Sequence, residues 1–382
     1  MKKSLALVLV LGICMSMCIF PAGAIFENET NKEILTEDEF AEFLTDEMTC
    51  NEFGGLYYDG DTLIVNIVDS QGTTSLRRQL ARKAMKDVDV EYRMVAYSLS
   101  ELEGIKDFLT DYMYDYGIVT LDANEVTNQV DICLKDYSEE NVESIKATVL
   151  SHGGKTDYLN FINNSDTVIL STVGHDTNNT PSAFPLNDEV ASASTTAAST
   201  TRYLTGGKIY IGNGSYTLGP ALSSSRAYSA GHEFSGTVAV NDSMGLRIGS
   251  ATSHYGGSSG DWSKITMYNG EFFPVVGRAT PTVGKRVYMF GATYGETTGK
   301  ITQTNVSVAA NPPYATLTGM CAGSYECDLG DSGAGLFDCG IEDCFTTSSD
   351  ANTYGIQSSG LFYVDSGEWA GTSYFTPISK VS

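Results

Sequence analysis

Three short segments carry the residue types from which a hydroxyl nucleophile can be built. In GDSGAG, residues 330 to 335, Ser332 stands between Asp331 and Gly333 with Gly330 close by. A serine hydroxyl attacks poorly unless a tight turn exposes it and backbone N–H groups are aimed at the oxyanion that develops. Glycines on both sides suit that turn. Read alone, the hexapeptide is equally an ordinary glycine-rich turn.

In SAGH, residues 229 to 232, small residues bring the imidazole of His232 to the end of a strand-like run. Isolated histidines are mostly structural, but this chain has only four, and two of them, His152 and His175, lie in its first half. His254, in a Gly- and Ser-rich loop, is the weaker candidate. His232 followed by Glu233 is not a zinc helix, because no second histidine comes four positions later. No metal or other cofactor is called for. The third member is Asp261 in SGDWSKI, where the order His, Asp, Ser makes it the group to fix the imidazole tautomer and stabilise the imidazolium. Asp242 competes, yet it sits in the turn-like VNDSMG only ten residues beyond His232.

SAGH, GDWS and GDSGAG, in this order and spacing, resemble the signature segments of chymotrypsin-like serine proteases, particularly the bacterial streptogrisins and alpha-lytic protease. LTGGKIYIGN, VGKRVYMFGATYGETTGKIT, GIQSSG and SYFTPISKV resemble their N-terminal region, central hairpin, substrate-binding strand and C-terminal segment, and GGLYYDGDTLIVNIVD resembles the large folding prosegment of alpha-lytic protease. The resemblance implies an all-β mature domain of two six-stranded antiparallel barrels with the active site between them. It implies His232 as general base and acid, Asp261 as its orienting partner, and Ser332 as nucleophile. It further implies the N–H groups of Gly330 and Ser332 as oxyanion hole, Asp331 as a prop for the turn, and Ser358, Ser359 and Gly360 as the strand that pairs with substrate. Departures are Glu233 in place of a cysteine after the histidine, and Ala334 and Gly335 in place of Gly-Pro.

These residues need elements to position them. From Gly206 onward, short strand-like runs alternate with Gly, Asn, Asp and Ser turns, a pattern of antiparallel barrels or sandwiches. The first half reads as α+β with a ββα pattern repeated: hairpins at 56–69 and 117–136, a helical stretch near 75–86, a strand at 91–98, a helix at 100–113 capped by Ser100, and a second helix after Ser138. EVASASTTAASTT, residues 189 to 201, lacks bulky apolar residues and reads as an exposed linker. Residues 1–24 have a basic tip, an apolar run and a small-residue site ending at Ala24, which reads as a secretory signal peptide. The expected division is therefore signal peptide 1–24, prosegment 25–188, linker 189–203 and protease domain 204–382, with processing near 198–204.

Net charge is −24 and uneven: residues 25–203 hold 12 Lys and Arg against 33 Asp and Glu, giving −21, while residues 204–382 hold 9 against 14, giving −5. An acidic chain is repelled by phosphate backbones and anionic lipids, so neither nucleic acid nor membrane is an expected partner. Expected partners are peptide or protein substrates and the chain's own first half, as folding aid and inhibitor, around a monomeric enzyme. Secretion permits disulfides. Cys321, Cys327, Cys339 and Cys344 allow three pairings, and the close spacing of Cys339 and Cys344 favours a local clip there, leaving Cys321 with Cys327. An inward Glu326 would favour basic substrate side chains, and an outward one an apolar or small pocket. The whole reads as an extracellular serine endopeptidase made as a zymogen. The rival readings are a catalytically idle trypsin-fold binding module and an acidic adhesion or wall protein.

Overall fold

The computed structural model describes residues 33–36, 39–40, 43–44, 51–68, 83–171, 202–268, 270–309, 316–346 and 351–382. The signal-like segment 1–24, the linker through residue 201, His175 and Cys50 lie outside them. Among the described residues no helix is long and apolar enough to cross a membrane.

The first half runs β1 (Glu33–Leu35), β2 (Phe53–Asp59), β3 (Thr62–Val68), β4 (Lys83–Met85), β5 (Asp89–Val95), α1 (Leu99–Thr110), β6 (Ile118–Asn124), β7 (Gln129–Leu134), α2 (Glu139–Ser151), β8 (Leu159–Asn163) and β9 (Thr167–Ser171). Both expected hairpins form. Where a helix was expected near 75–86, Lys83–Met85 is instead a strand parallel to β1, and residues 69–82 lie outside the described set. On α1, Leu102, Ile105 and Leu109 recur at helical spacing and are buried, together with Met113, against β6 and β7. Its cap is Ser98, not Ser100. Ser98 has the extended backbone an N-cap needs and accepts the Glu101 N–H at 3.2 Å, whereas Ser100 already lies in the first turn. Ser138 caps α2 as expected.

The second half continues β10 (Arg202–Leu204), β11 (Lys208–Ile211), β12 (Gly214–Thr217), β13 (Ala221–Ser223), β14 (Arg226–Ser229), β15 (Thr237–Asp242), β16 (Arg247–Tyr255), β17 (Asp261–Met267), β18 (Glu271–Phe273) and β19 (Gly277–Arg278). It ends with β20 (Arg286–Gly291), β21 (Gly295–Val308), β22 (Leu317–Gly323), β23 (Gly335–Phe337), α3 (Ile341–Thr346), β24 (Asn352–Tyr363) and β25 (Trp369–Pro377). β10, which overlaps the window expected for processing, pairs with β18.

Two sheets frame the site. The first orders seven strands as β12-β11-β15-β16-β17-β14-β13 around Ile209, Tyr216, Val240, Ala251 and Ile265. In the second, β20-β23-β24-β25-β22-β21 returns on itself because β21 also pairs with β20, closing a ring around Val287, Met289, Ile301, Leu336 and Phe375. β21 is 14 residues long and bulged, so its start closes the ring while its end reaches β6, with Ser307 opposite Leu121 and Val308 opposite Thr120. The first half is thus sewn into the same sheet. β9 adds a second seam, running antiparallel to β24 from Ser359 to Tyr363.

Candidate active site

His232 lies just beyond β14 and Asp261 opens β17, two antiparallel neighbours registered Ser229 to Ser263. That pairing brings together residues 29 apart in sequence. A Cβ at Gly231 would meet the Trp262 carbonyl oxygen at 2.3 Å, so only glycine lets the chain pass this close. Asp261 Oδ1 accepts the N–H groups of Gly231 at 2.7 Å and His232 at 3.0 Å. Its Oδ2 faces His232 Nδ1 in a short contact and accepts the Ser358 hydroxyl at 2.6 Å. His232 Nε2 is 3.0 Å from Ser332 Oγ. The three expected side chains form one continuous relay.

All three are buried, His232 at 2% exposure and Asp261 and Ser332 at 0%. Burial alone would raise the Asp261 carboxyl, but the His232 charge and hydrogen bonds from His232, Ser358 and the Gly231 N–H outweigh it and hold the group below its ordinary value. An ionised Asp261 assigns the Nδ1 proton to its side of the ring and leaves Nε2 as acceptor toward Ser332.

The turn carrying Ser332 is fastened from two directions. Asp331 Oδ1 accepts the N–H groups of Thr293 at 2.8 Å and Tyr294 at 3.3 Å, and Oδ2 that of Asp328 at 2.9 Å. From the first sheet, the Thr217 N–H donates to the Ser332 carbonyl and its hydroxyl to the Gly330 carbonyl, each at 2.8 Å. Gly330 and Gly333 have φ of +104° and +94°, and a Cβ at Gly333 would meet Ser229 Oγ at 2.0 Å. Glycine is required there on both counts.

The competing residues fall elsewhere. Asp242 Oδ1 accepts the N–H groups of Met244 and Leu246 and closes a turn. His254 stacks on Trp262. Glu326 is half-buried, its Oε1 accepting from the Tyr294 hydroxyl. Ser358, Ser359 and Gly360 lie in β24 beside the relay, and Ser332 Oγ is 3.3 Å from the Ser358 carbonyl oxygen. The bond from Ser358 to Asp261 is one that sequence reasoning missed, as is Thr376, whose Oγ1 donates to the Asp261 carbonyl and accepts its N–H.

Cys339 and Cys344 form a disulfide. Cys321 and Cys327 do not, which corrects the expected second clip. Cys321 lies within extended β22 opposite Phe375, and Cys327, beyond the strand's end, packs beside Gly360 and accepts from the Ser373 hydroxyl. An extended strand carries the two sulfurs apart although the sequence spacing is short. Both are buried free thiols whose burial pushes their pKa up. Among the described residues no group of three or more His, Cys, Asp or Glu side chains is placed to hold a metal ion.

No family model and no curated protein matches the chain. Among solved structures it is similar to a chymotrypsin from Cellulomonas bogoriensis, at 22% identity over 47% of this chain and 94% of that one, with a TM-score of 0.37. Protease A of Thermobifida fusca aligns at 23% identity, 47% and 92% coverage and a TM-score of 0.36. An alpha-lytic protease homolog, N4, aligns at 21%, 47%, 94% and 0.36.

Proposed function

We propose that the chain is a secreted serine endopeptidase of the chymotrypsin type, made as a zymogen. The observation that carries this reading is the unbroken relay from Asp261 through His232 to Ser332. Ser332 Oγ forms a bond to the scissile carbonyl carbon while His232 Nε2 takes its proton. The C–N bond then breaks as His232 passes that proton to the departing amine, leaving an acyl-enzyme. Water attacks the ester with His232 again as base, and the carboxylate product leaves. The N–H groups of Gly330 and Ser332 hold the oxyanion.

Substrate lies along Ser358, Ser359 and Gly360 as an added strand. Support comes from β9, which already pairs there, Ser171 opposite Ser359 and Leu170 opposite Gly360. The same pairing supports the first half as an inhibitor, and the β21–β6 seam supports it as a folding template. A signal peptide at 1–24 and processing around 198–204 complete the zymogen reading.

A fluorophosphonate probe tests the activity. Labelling at Ser332 that is lost in Ser332→Ala and His232→Ala is the expected result. A folded wild-type chain, freed of its first half, that never labels would leave the idle binding module as the better reading.

A further inference from the structure

The seam between β21 and β6 contains an acidic group that neither catalysis nor packing explains. Asp122 on β6 is 2% exposed and stands directly opposite Asp131 on β7. Like charges in that cross-strand position repel. Asp131 has a partner on each oxygen, its Oδ1 accepting the Asn160 amide at 2.8 Å and its Oδ2 the Asn124 amide at 2.7 Å. Asp122 has less. Its Oδ2 accepts the Gln303 amide of β21 at 2.9 Å, across the seam, and its Oδ1 is buried with no hydrogen-bond partner.

Other groups around it do not supply the missing charge. Lys106 of α1 is buried, but its ammonium donates to the Asn305 carbonyl at 2.7 Å and lies 3.3 Å from Asp107. Glu103 of α1 accepts from the Asn305 amide. Glu125, just beyond β6, adds a further, half-buried carboxyl. Cys133 of β7, half-buried, and Cys321 of β22 and Tyr374 of β25, both buried, have raised pKa values and stay neutral. The cavity wall at Asp122 comes from both halves, Asp122 to Val126 on one side and Val283 and Thr302 to Thr304 on the other. Separation of the halves would therefore return this carboxyl to water.

We propose that Asp122 is a proton-operated latch between the two halves: neutral, it lets the first half dock on β21, and ionised, it loosens that docking. The precursor is then held shut in acid and eases open toward neutral and alkaline pH. Burial, then the Asp131 charge, push the Asp122 carboxyl up to about 8, against smaller opposing effects of Gln303 and Lys106. Burial likewise pushes Glu125 up to about 8, helped by Asp122 and Glu103. A carboxyl raised in the docked state binds its proton more tightly there. Docking is thus strongest below the ordinary carboxyl range, weakens as pH rises toward about 8, and is level beyond. Within that window each ionising carboxyl weakens docking by up to about tenfold per pH unit. The consequence for activity rests on the first half being the inhibitor; the latch itself does not.

Hydrogen exchange on the full-length Ser332→Ala chain, which cannot cut itself, separates the two. After correction for intrinsic rates between pH 5 and 9, amides of 118–123 and 302–309 should lose protection with rising pH, while those pairing β24 with β25 hold theirs. In Ser332→Ala/Asp122→Asn the seam's loss across pH 6–8 should shrink by about tenfold or more. An unchanged slope in that variant, or seam and ring amides moving together, would overturn the latch. If Asp122→Asn does not fold, Asp131→Asn removes the repelling neighbour and should flatten the slope, and an unchanged slope there would overturn it equally. Failure of fluorophosphonate labelling, by contrast, would remove the protease reading and leave these exchange results standing.

Discussion

The Ser358 hydroxyl donates to Asp261 Oδ2 at 2.6 Å, the same oxygen that faces His232 Nδ1. Ser358 therefore helps keep Asp261 ionised and aimed. Ser358→Ala removes one charge-assisted bond from a fully buried carboxylate. A fall of up to about tenfold in kcat with little change in KM is expected from steady-state kinetics on a peptide substrate. A change confined to KM would assign Ser358 to binding alone.

Asp261→Asn keeps the shape of the site and reverses the tautomer it imposes, since an amide can donate to Nδ1 and turn the Nε2 lone pair into an N–H. Turnover should fall about ten thousand-fold, and that of Ser332→Ala about a million-fold, with the substrate still bound. Retention of more than a few per cent of activity in either variant would remove that residue from the relay.

Asp331 carries a stability prediction with a definite sign. Burial pushes its carboxyl up to about 6, opposed by the N–H groups of Thr293, Asp328 and Tyr294. A carboxyl raised in the folded state favours folding most below about pH 4, and that contribution declines until about pH 6 and is then constant. Asp331→Asn should abolish this slope. It should also cost about 1–3 kcal/mol, because the amide turns an N–H toward donors that a carboxylate accepted. Melting temperatures at pH 4 and pH 7 check both, and equal slopes for the two proteins would contradict the assignment.

Cysteine chemistry gives a direct test of the second half. Alkylation of the denatured, unreduced protein should modify Cys321 and Cys327 and spare Cys339 and Cys344. Recovery of a peptide linking Cys321 to Cys327 would show that the covalent structure differs. Loss of the Cys339–Cys344 clip should cost about 2 kcal/mol, the loop-closure value for so short a loop.

Occupation of β24 by β9 can be relieved without removing the first half. Leu170 packs beside the cluster containing Tyr325, Cys327, Phe362 and Phe375. Placing a carboxylate there by Leu170→Asp should release the strand and raise the full-length chain's activity severalfold, read as initial rate on a peptide. No gain in a chain that labels at Ser332 would dissociate β9 from inhibition.

The first half should also act on folding. Two sheets built from non-local pairings and many glycines imply a high barrier. Residues 204–382 alone should refold slowly, and addition of residues 25–203 in trans should speed recovery and, in excess, inhibit. Equal refolding rates with and without that segment would make it an appendage.

What the sequence made legible was local. His232 and Ser332 stand out because small residues crowd around them, and Asp261 because its order fits. Ser358 and Thr376 carry no such mark. Each is an ordinary strand residue that reaches Asp261 across roughly a hundred positions, and only the packing of β24 and β25 against β17 brings it there. Thr217 is hidden for the same reason. The Cys321–Cys327 pairing failed in the opposite way, since short spacing suggested a bond that the fold does not form. The α1 cap was displaced by two residues because Ser98 and Ser100 offer the same hydroxyl and only backbone geometry separates them.

Thr217 belongs to one sheet and fastens the backbone of a nucleophile that belongs to the other. The Ser332 hydroxyl and the His232 imidazole are thus brought together only when both sheets are complete and correctly seated. On the protease reading, a chain arrested partway through folding would carry every residue of the relay and yet be chemically silent. Hydrolytic power would be withheld by incomplete construction itself, ahead of any inhibitor.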